Sequence, residues 1–212
     1  MSSIHLELLD KKERLVFERL KVFKEVTLAG GTALMLQIAH RKSFDFDLFL
    51  EREVTTKDLK RLKRAFKIKI VDVNTSDQLT VRTNNEVNIT LVDYYYKPLF
   101  KKVFTPSIPL YSVKDIAADK AHTIGRRAAW RDYVDLFFIL KEEYTDIFEL
   151  IKLAEKKFGV EFNPKLFLEQ LVYFEDLKIS KITFVKEKYS PRQIQDFLKQ
   201  KVKKFKSSEF KI

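Results

Sequence analysis

Residues 28 to 49, LAGGTALMLQIAHRKSFDFDLF, decide how this chain is expected to fold. The apolar run Val26 to Ala29 predicts a short strand that ends at the glycine pair Gly30-Gly31. A helix-like stretch follows from Thr32 to about Ala39, and the apolar run Phe44 to Leu50 predicts a second strand. The segment therefore has the order strand, glycine turn, helix, strand.

Two carboxylates, Asp45 and Asp47, interrupt the second of these strands. Residues two apart on a strand point to the same face of a sheet. Carboxylates among apolar residues are costly unless they are paired or bind a cation, although acidic residues also keep edge strands soluble. Because the pattern Ser43-x-Asp45-x-Asp47 follows the glycine pair closely, we favour a divalent-cation site at Asp45 and Asp47.

The glycine turn predicts the nucleotide side of the same site. Glycines let backbone amides approach phosphate oxygens, and a helix N-terminus adds a favourable dipole. Paired glycines also make ordinary turns, and an arginine nearby is as readily a surface charge as a phosphate ligand. Because the histidines are interpreted as structural, the serine has no partner histidine, which makes it a poor hydrolase nucleophile. We expect the nucleotide-binding residues to be Gly30, Gly31, Thr32, Arg41 and Ser43.

The remaining pattern predicts an α+β (mixed α/β) fold. An amphipathic helix is expected over residues 5 to 24, a helix with a capping box over residues 55 to 66, and three further strands before residue 95. Pro106 and Pro109 indicate a linker, and the remainder is expected to be wholly helical. We therefore expect a mixed-sheet core with flanking helices over residues 1–108, and an α-helical C-terminal domain over residues 109–212 packed on that core.

A second group of polar residues lies in ADKAHTIGRRAAWRDYVDLFFIL, residues 118 to 140. Lys120 is in mid-helix, and Asp132 and Asp135 are three apart, so the two acids share one helix face. From the pattern alone, a solvated surface with local ion pairs is the favoured interpretation. The histidines have no metal-ligand spacing and are interpreted as structural.

Composition narrows the class of protein. The chain has 41 Lys and Arg against 30 Asp and Glu, which gives a net charge of +11 and favours a polyanionic partner. Zero cysteines exclude disulfides, thiolate zinc sites and cysteine nucleophiles. No apolar stretch is long enough to cross a bilayer, and the N-terminal sequence has no signal-peptide core, so a cytoplasmic protein is expected.

In order along the chain, these motifs resemble those of the AbiEii/AbiGii toxin family of nucleotidyltransferases. LAGGTALMLQIAHRKSFDFDLF resembles the family's glycine-to-Asp-x-Asp motif, and YSVKDIAADKAHTIGRRAAWRDYVDLFFIL resembles its later lysine and acidic motifs. The resemblance implies a DNA-polymerase-β-like core, a Mg²⁺-dependent nucleotidyl transfer (EC 2.7.7 type) from a nucleoside triphosphate, RNA such as tRNA as acceptor, and an antitoxin partner. By position it makes Asp45 and Asp47 the Mg²⁺ ligands, gives Lys120 the task of neutralising phosphate charge, and makes Asp132 part of the catalytic site.

One departure from the family pattern leaves alternatives open. Many polymerase-β-like enzymes carry a third carboxylate on a later strand, where this chain has Thr90. Asp93, Asp132 or Asp135 would have to substitute, or the site is incomplete. The rival hypotheses are a catalytically impaired nucleotide- or RNA-binding module of the same fold, and a basic protein whose main role is to bind an acidic partner. If RNA is the acceptor, Arg126, Arg127 and the lysines from Lys199 to Lys206 are expected to contact it.

Overall fold

The computed structural model describes residues 4–124, 126–127 and 129–209, so two positions of the predicted turn after residue 124 lie outside it. The chain divides into two compact units, with the division between Ser112 and Val113. The first unit contains the sheet and the second contains helices.

The first unit is built on a mixed sheet of five strands in the order β1-β2-β5-β4-β3. The pairs β1–β2, β5–β4 and β4–β3 are antiparallel, whereas β2 and β5 run parallel. The mixed sheet confirms the predicted fold class. The strands are β1 (Thr27–Ala29), β2 (Phe46–Leu50), β3 (Ile68–Asn74), β4 (Gln78–Thr83) and β5 (Asn88–Asp93).

The two faces of the sheet differ in chemistry because side chains alternate along each strand. In β2, Phe46, Leu48 and Leu50 are buried on one face, and Asp47 and Phe49 are half-buried on the other. The strands β5 and β4 alternate in the same way, and their outward residues are mostly polar. One face therefore belongs to the core, and the other presents a polar surface that contains the carboxylates.

Helices α1 (Lys11–Arg19), α2 (Gly30–Ile38) and α3 (Thr56–Ala65) complete the first unit. The predicted helix over residues 5 to 24 is shorter than expected, because a capping box between Asp10 and Glu13 begins α1 and 3-10 turns flank it on both sides. Its predicted apolar stripe is nevertheless buried, and the ring of Phe17 stacks on that of Phe46.

The proline-containing segment after residue 100 is not a linker. Val103 and Leu110 form a backbone bridge, and the amide of Leu28 in β1 donates to the carbonyl of Pro109 at 2.9 Å. The amide of Tyr111 donates a hydrogen bond of 2.9 Å to the carbonyl of Leu28. Backbone hydrogen bonds therefore attach this segment to the first unit.

The second unit contains α4 (Val113–Ile124), α5 (Trp130–Lys141), α6 (Ile147–Phe158), α7 (Pro164–Gln170) and α8 (Pro191–Glu209). Two of these helices have side-chain N-caps: Asp146 accepts from the Glu149 amide, and Asn163 accepts from the Leu166 amide. The expectation that this half is wholly helical is wrong for residues 171 to 190, which connect α7 to α8 without a helix. None of the described helices combines the length and the apolar character needed to span a bilayer.

Candidate active site

The turn between β1 and α2 brings a glycine against a carboxylate. Gly30 has a φ of +66°, a conformation that costs side-chain-bearing residues about 1–2 kcal/mol. A Cβ at this position would lie 2.4 Å from Oδ2 of Asp47, because Ala29 pairs with Asp47 across the β1–β2 ladder. Glycine is therefore required here both by the backbone and by the space that the carboxylate takes.

Asp45 is held by two neighbours. The side-chain amide of Asn88 on β5 donates to Oδ1 of Asp45 at 3.0 Å, and the oxygen of that amide accepts from Nε of Arg82 at 3.1 Å. The hydroxyl of Thr32, in the first turn of α2, donates to the backbone carbonyl of Asp45 at 2.5 Å. The buried hydroxyl of Thr32 thus positions the carboxylate segment, which leaves its backbone amide as the group available to a phosphate.

The strand register identifies the residue that occupies the third acidic position of the family pattern. Asp47 pairs with Thr90 across the parallel β2–β5 ladder, so a hydroxyl stands where a third carboxylate was expected. Asp93 pairs with the buried Leu50 and, by strand alternation, lies on the opposite face from Asp47. Asp93 therefore does not add a third carboxylate to the face of the sheet that carries Asp47.

Arg41 and Ser43 lie over the first turn of α2. A Cβ at Gly31 would be 2.8 Å from Nη2 of Arg41 and 2.8 Å from Oγ of Ser43. Both side chains are buried, and Nη1 of Arg41 donates to the carbonyl of Lys42 at 3.0 Å. The structure thus brings four predicted nucleotide-binding residues, Gly30, Gly31, Arg41 and Ser43, to the same helix N-terminus as the carboxylates.

The donor set on this face suits Mg²⁺. Carboxylate oxygens are the ligands that this cation prefers, and it commonly takes one or two of them together with substrate phosphates and water. Asp45 and Asp47 provide two such groups, with the Thr90 hydroxyl beside Asp47. Among the residues that the structure describes, no group of three or more His, Asp or Glu side chains is arranged as a complete metal site. The arrangement fits a cation that is shared with a bound triphosphate.

The second group of predicted residues forms a buried ion cluster in the helical unit. Nζ of Lys120 on α4 is paired with Asp132 and lies 2.8 Å from Oδ2 of Asp135, and both acids are on α5. Arg127 contacts the other oxygen of Asp132 at 3.3 Å. The interpretation of a solvated surface is wrong here: both acids are buried, and the lysine is nearly so, because α4 and α5 pack these side chains together.

The lysine-rich end of α8 has a surface depression beside it. Lys199, Lys203 and Lys206 line a groove of about 570 Å³ whose apolar wall includes Val172 and Val202.

In the same unit, the ring of His122 stacks on Phe158 with centroids 4.0 Å apart, and burial lowers the pKa of this imidazole. Its packing agrees with a structural role.

Two features of the site escaped sequence reasoning. Asn88 supports Asp45, and the strand alternation from Asn88 to Thr90 was the signal that could have identified it. Aromatic rings also continue from the carboxylate strand: Phe49 stacks on Tyr94 with centroids 4.0 Å apart and meets Tyr111 edge-on at 5.5 Å. The run of tyrosines in the sequence was visible, but its contact with β2 was not.

Comparison with known proteins agrees with this geometry. The chain matches the family model described as "Nucleotidyl transferase AbiEii toxin, Type IV TA system" over residues 14–207. It is 29% identical over 206 residues to the uncharacterized protein aq_aa25 of Aquifex aeolicus, covering 93% of this chain and 97% of that protein.

Two solved structures share the fold. One is a candidate nucleotidyltransferase from Helicobacter pylori, with a TM-score of 0.59, 17% identity, and coverage of 94% of this chain and 98% of that one. The other is the nucleotidyltransferase toxin MenT4 from Mycobacterium tuberculosis, with a TM-score of 0.62, 14% identity, and coverage of 90% and 80%. At these identities the likeness establishes the fold alone.

Proposed function

Since the chain belongs to the AbiEii family of nucleotidyltransferase toxins, we propose that it transfers a nucleotidyl group from a nucleoside triphosphate to an RNA acceptor, with tRNA favoured. The observation that carries this proposal is the contact between the Gly30 turn and Asp47, with Asp45 on the same strand segment. A phosphate-binding turn and a cation-binding pair meet there. The cytoplasm is the compartment in which we propose that the protein acts, and an antitoxin is its proposed protein partner.

The first turn of α2 binds the triphosphate in this proposal. The amides of Gly30, Gly31 and Thr32 have no partner within the helix, and they point along the favourable end of the helix dipole. Arg41 adds a positive charge and Ser43 a hydroxyl beside Gly31. These groups would fix the phosphate chain against the carboxylates before the reaction.

The reaction joins an acceptor oxygen to the α-phosphorus and breaks the bond between the α- and β-phosphates, which releases pyrophosphate. Asp45 and Asp47 would hold Mg²⁺, which supplies compensation for the charge on the phosphate oxygens when bound. Asn88 and Thr32 hold Asp45 in place, and Gly30 leaves the volume that Asp47 requires. The contribution of the protein is therefore mainly positioning and electrostatics.

The ion cluster of the second unit has a proposed role that follows from the family motif. Lys120 would neutralise phosphate charge and Asp132 would complete the later acidic motif. The contacts with Asp132 and Asp135 support a lysine held in one orientation in its charged form. Within its unit, Lys120 is thus a preorganised cation rather than a mobile surface group.

A second candidate function rests on Thr90. Because the register pairs this hydroxyl with Asp47, the chain could be a nucleotide- or RNA-binding module of the same fold with impaired catalysis. A third possibility, a basic protein that mainly binds an acidic partner, rests on the net charge of +11 alone.

The test is a transfer assay. The purified chain is incubated with Mg²⁺, total RNA and each α-³²P-labelled nucleoside triphosphate in turn, and label that becomes attached to RNA is measured. We expect incorporation from at least one triphosphate, and loss of incorporation in Asp45→Asn and Asp47→Asn.

Asp93→Asn is the matched control, because it removes a carboxylate from the neighbouring strand on the opposite face. Equal incorporation by wild type and Asp45→Asn would refute the catalytic role. Triphosphate binding without incorporation into RNA would favour the impaired binding module, and the absence of both would favour the partner-binding protein.

A further inference from the structure

The segment from Tyr94 to Phe104, YYYKPLFKKVF, has a composition that the proposed reaction does not use. It contains five aromatic residues and three lysines and no acidic residue. It follows β5 directly, and no helix or strand is assigned to it apart from the backbone bridge at Val103. Aromatic rings and positive charges are the two ingredients of single-stranded nucleic-acid binding.

The rings of this segment continue from the carboxylate strand. Phe49, two residues after Asp47 and on the same face, stacks on Tyr94 at 4.0 Å with 23° between the planes. Tyr94 meets Tyr96 at 5.4 Å, and Tyr96 meets Tyr95 at 4.2 Å. A hydrogen bond of 2.7 Å from the hydroxyl of Tyr95 to that of Tyr96 fixes the last pair. The four rings form a continuous series that begins beside Asp47.

The far end of the series is open to solvent. Tyr95 is 66% exposed, and further along the segment Phe100 is 38% exposed and Phe104 is 86% exposed. Larger exposed apolar patches, especially those rimmed by polar residues, mark interaction sites. The intervening Lys97 and Lys101 are also exposed, so positive charge accompanies the exposed rings.

We infer that Tyr95, Phe100 and Phe104, with Lys97 and Lys101, bind unpaired nucleotides of a single-stranded RNA end. The rings would stack on successive bases and the lysines would pair with the phosphates between them. The inference rests on the proposed function, because an RNA acceptor is what must be led to the carboxylates. Three exposed rings spread over ten residues exceed what one nucleoside triphosphate can cover, and an acid-free, lysine-bearing segment matches a polyanion.

The test measures RNA binding without any transfer. Fluorescence anisotropy of the full chain with a labelled 12-nucleotide single-stranded RNA, in the absence of triphosphate, gives the dissociation constant. We expect Tyr95→Ala and Phe104→Ala each to weaken binding about tenfold, since base stacking on one ring is worth on the order of 1–3 kcal/mol. Tyr95→Phe keeps the ring and removes only the hydrogen bond to Tyr96, so it should bind RNA more tightly than Tyr95→Ala does.

Phe148→Ala is the control, because Phe148 is also an exposed ring (49%) and lies beside Lys152 on α6, outside this segment. Phe104 is so exposed that its truncation cannot disturb packing, which protects the test against misfolding of the Tyr95 variant. Unchanged RNA affinity in both alanine variants would overturn the inference. So would a Tyr95→Ala variant that loses triphosphate affinity and keeps RNA affinity, or wild-type protein that binds an acidic protein but no RNA.

These results are separable from the proposed function. Loss of incorporation in Asp45→Asn with unchanged RNA affinity in Tyr95→Ala would uphold transfer and remove only the aromatic binding surface. Tight single-stranded RNA binding that depends on Tyr95, without incorporation of any triphosphate, would uphold the binding surface and remove the proposed transfer.

Discussion

At the scale of single residues, the site depends on close approach between groups far apart in sequence. Gly30 leaves a space that Asp47 takes, and Gly31 leaves a space beside Arg41 and Ser43. At Gly31 the absence of a side chain provides the space, and at Gly30 the positive φ requires glycine as well. Catalysis by positioning is sensitive to such contacts, because a displacement of about 1 Å can reduce a rate about 100-fold.

We predict that Gly30→Ala reduces nucleotidyl transfer about 100-fold, because the new methyl group would displace the Asp47 carboxylate. Gly159→Ala is a matched control: its φ of +55° is also left-handed, but nothing lies within 4 Å of a Cβ there. Both variants should lose stability from the positive φ, and only Gly30→Ala should lose activity. Equal activity losses would show that strain, and not the contact with Asp47, is responsible.

The hydroxyl at position 90 gives a second prediction. Thr90→Asp would add a third carboxylate next to Asp47 on the same face. The added charge should lower the Mg²⁺ concentration for half-maximal transfer by about tenfold. A Mg²⁺ titration of initial rates measures this, with Asp93→Asn as the variant expected to titrate like wild type. A higher Mg²⁺ requirement in Thr90→Asp would contradict the assigned register.

At the scale of elements, local sequence signals were sufficient where a few neighbouring residues satisfied each other's hydrogen-bonding groups. The predicted capping box, formed by Thr55 and Asp58, begins α3, and Asn84-Asn85 forms the turn between β4 and β5. The parallel pairing of β2 with β5 was not predictable from periodicity, because register between distant strands depends on the whole sheet. That pairing decides which of Thr90 and Asp93 neighbours the carboxylates.

The ion cluster of α4 and α5 is a second feature that the sequence pattern predicted only in part. Spacing of Asp132 and Asp135 predicted a shared helix face, which the contacts of Lys120 confirm. It could not predict burial, because charged residues at helical spacing are usually on a solvated face and only the packing of the neighbouring helix removes them from water.

The capping box of α3 predicts a pH dependence of stability. Asp58 accepts hydrogen bonds of 2.8 Å from both terminal nitrogens of Arg52, and these bonds lower the pKa of its buried carboxyl to about 2 from its ordinary 3.8. Because the folded-state pKa is depressed, the stabilisation is fully present above about pH 4 and is lost as pH falls through about 2.

The difference corresponds to about 2 kcal/mol. Urea unfolding of wild type and Asp58→Asn should therefore give free energies that differ by about this amount at pH 6 and converge towards pH 2. Parallel curves over that range would contradict the assignment of the shift to Asp58.

The buried cluster gives Lys120 a structural role beside the functional role proposed for it. Lys120→Ala would leave the buried Asp135 without this cation, whereas Asp132 retains Arg127. We expect a loss of about 3–5 kcal/mol in the free energy of unfolding. Lys114→Ala, on the same helix, breaks a half-exposed pair with Glu149 and should cost less than about 1 kcal/mol. A Lys120→Ala loss no larger than that of Lys114→Ala in urea unfolding would contradict this prediction.

At the scale of the whole molecule, a net charge of +11 exceeds what one nucleotide needs. We predict that the affinity for single-stranded RNA falls steeply with salt, with log affinity decreasing by about 0.7 per phosphate contact for each unit of log salt. Replacing Lys199, Lys203 and Lys206 by Glu should flatten that slope by about 2 and weaken different RNA sequences alike, because phosphate contacts carry no sequence information.

The control replaces three exposed lysines of the first unit, Lys11, Lys12 and Lys24, and so changes the net charge equally. It should leave the slope closer to that of wild type if the groove along α8 contacts RNA. A flat salt dependence of the wild-type protein would contradict RNA as the polyanion. An acidic antitoxin surface would then be the better explanation of the charge.

The turn at Gly30 has a consequence for how such chains diverge over generations. The Asp47 carboxylate takes the space in which a side chain at position 30 would begin, so a lineage that keeps the aspartate keeps the glycine with it. A substitution at position 30 becomes tolerable only after Asp47 has been replaced, for example by a smaller residue. If Asp47 has the role proposed for it, we expect a descendant that carries a side chain at position 30 to have lost the transfer chemistry already, even where its other motifs are retained.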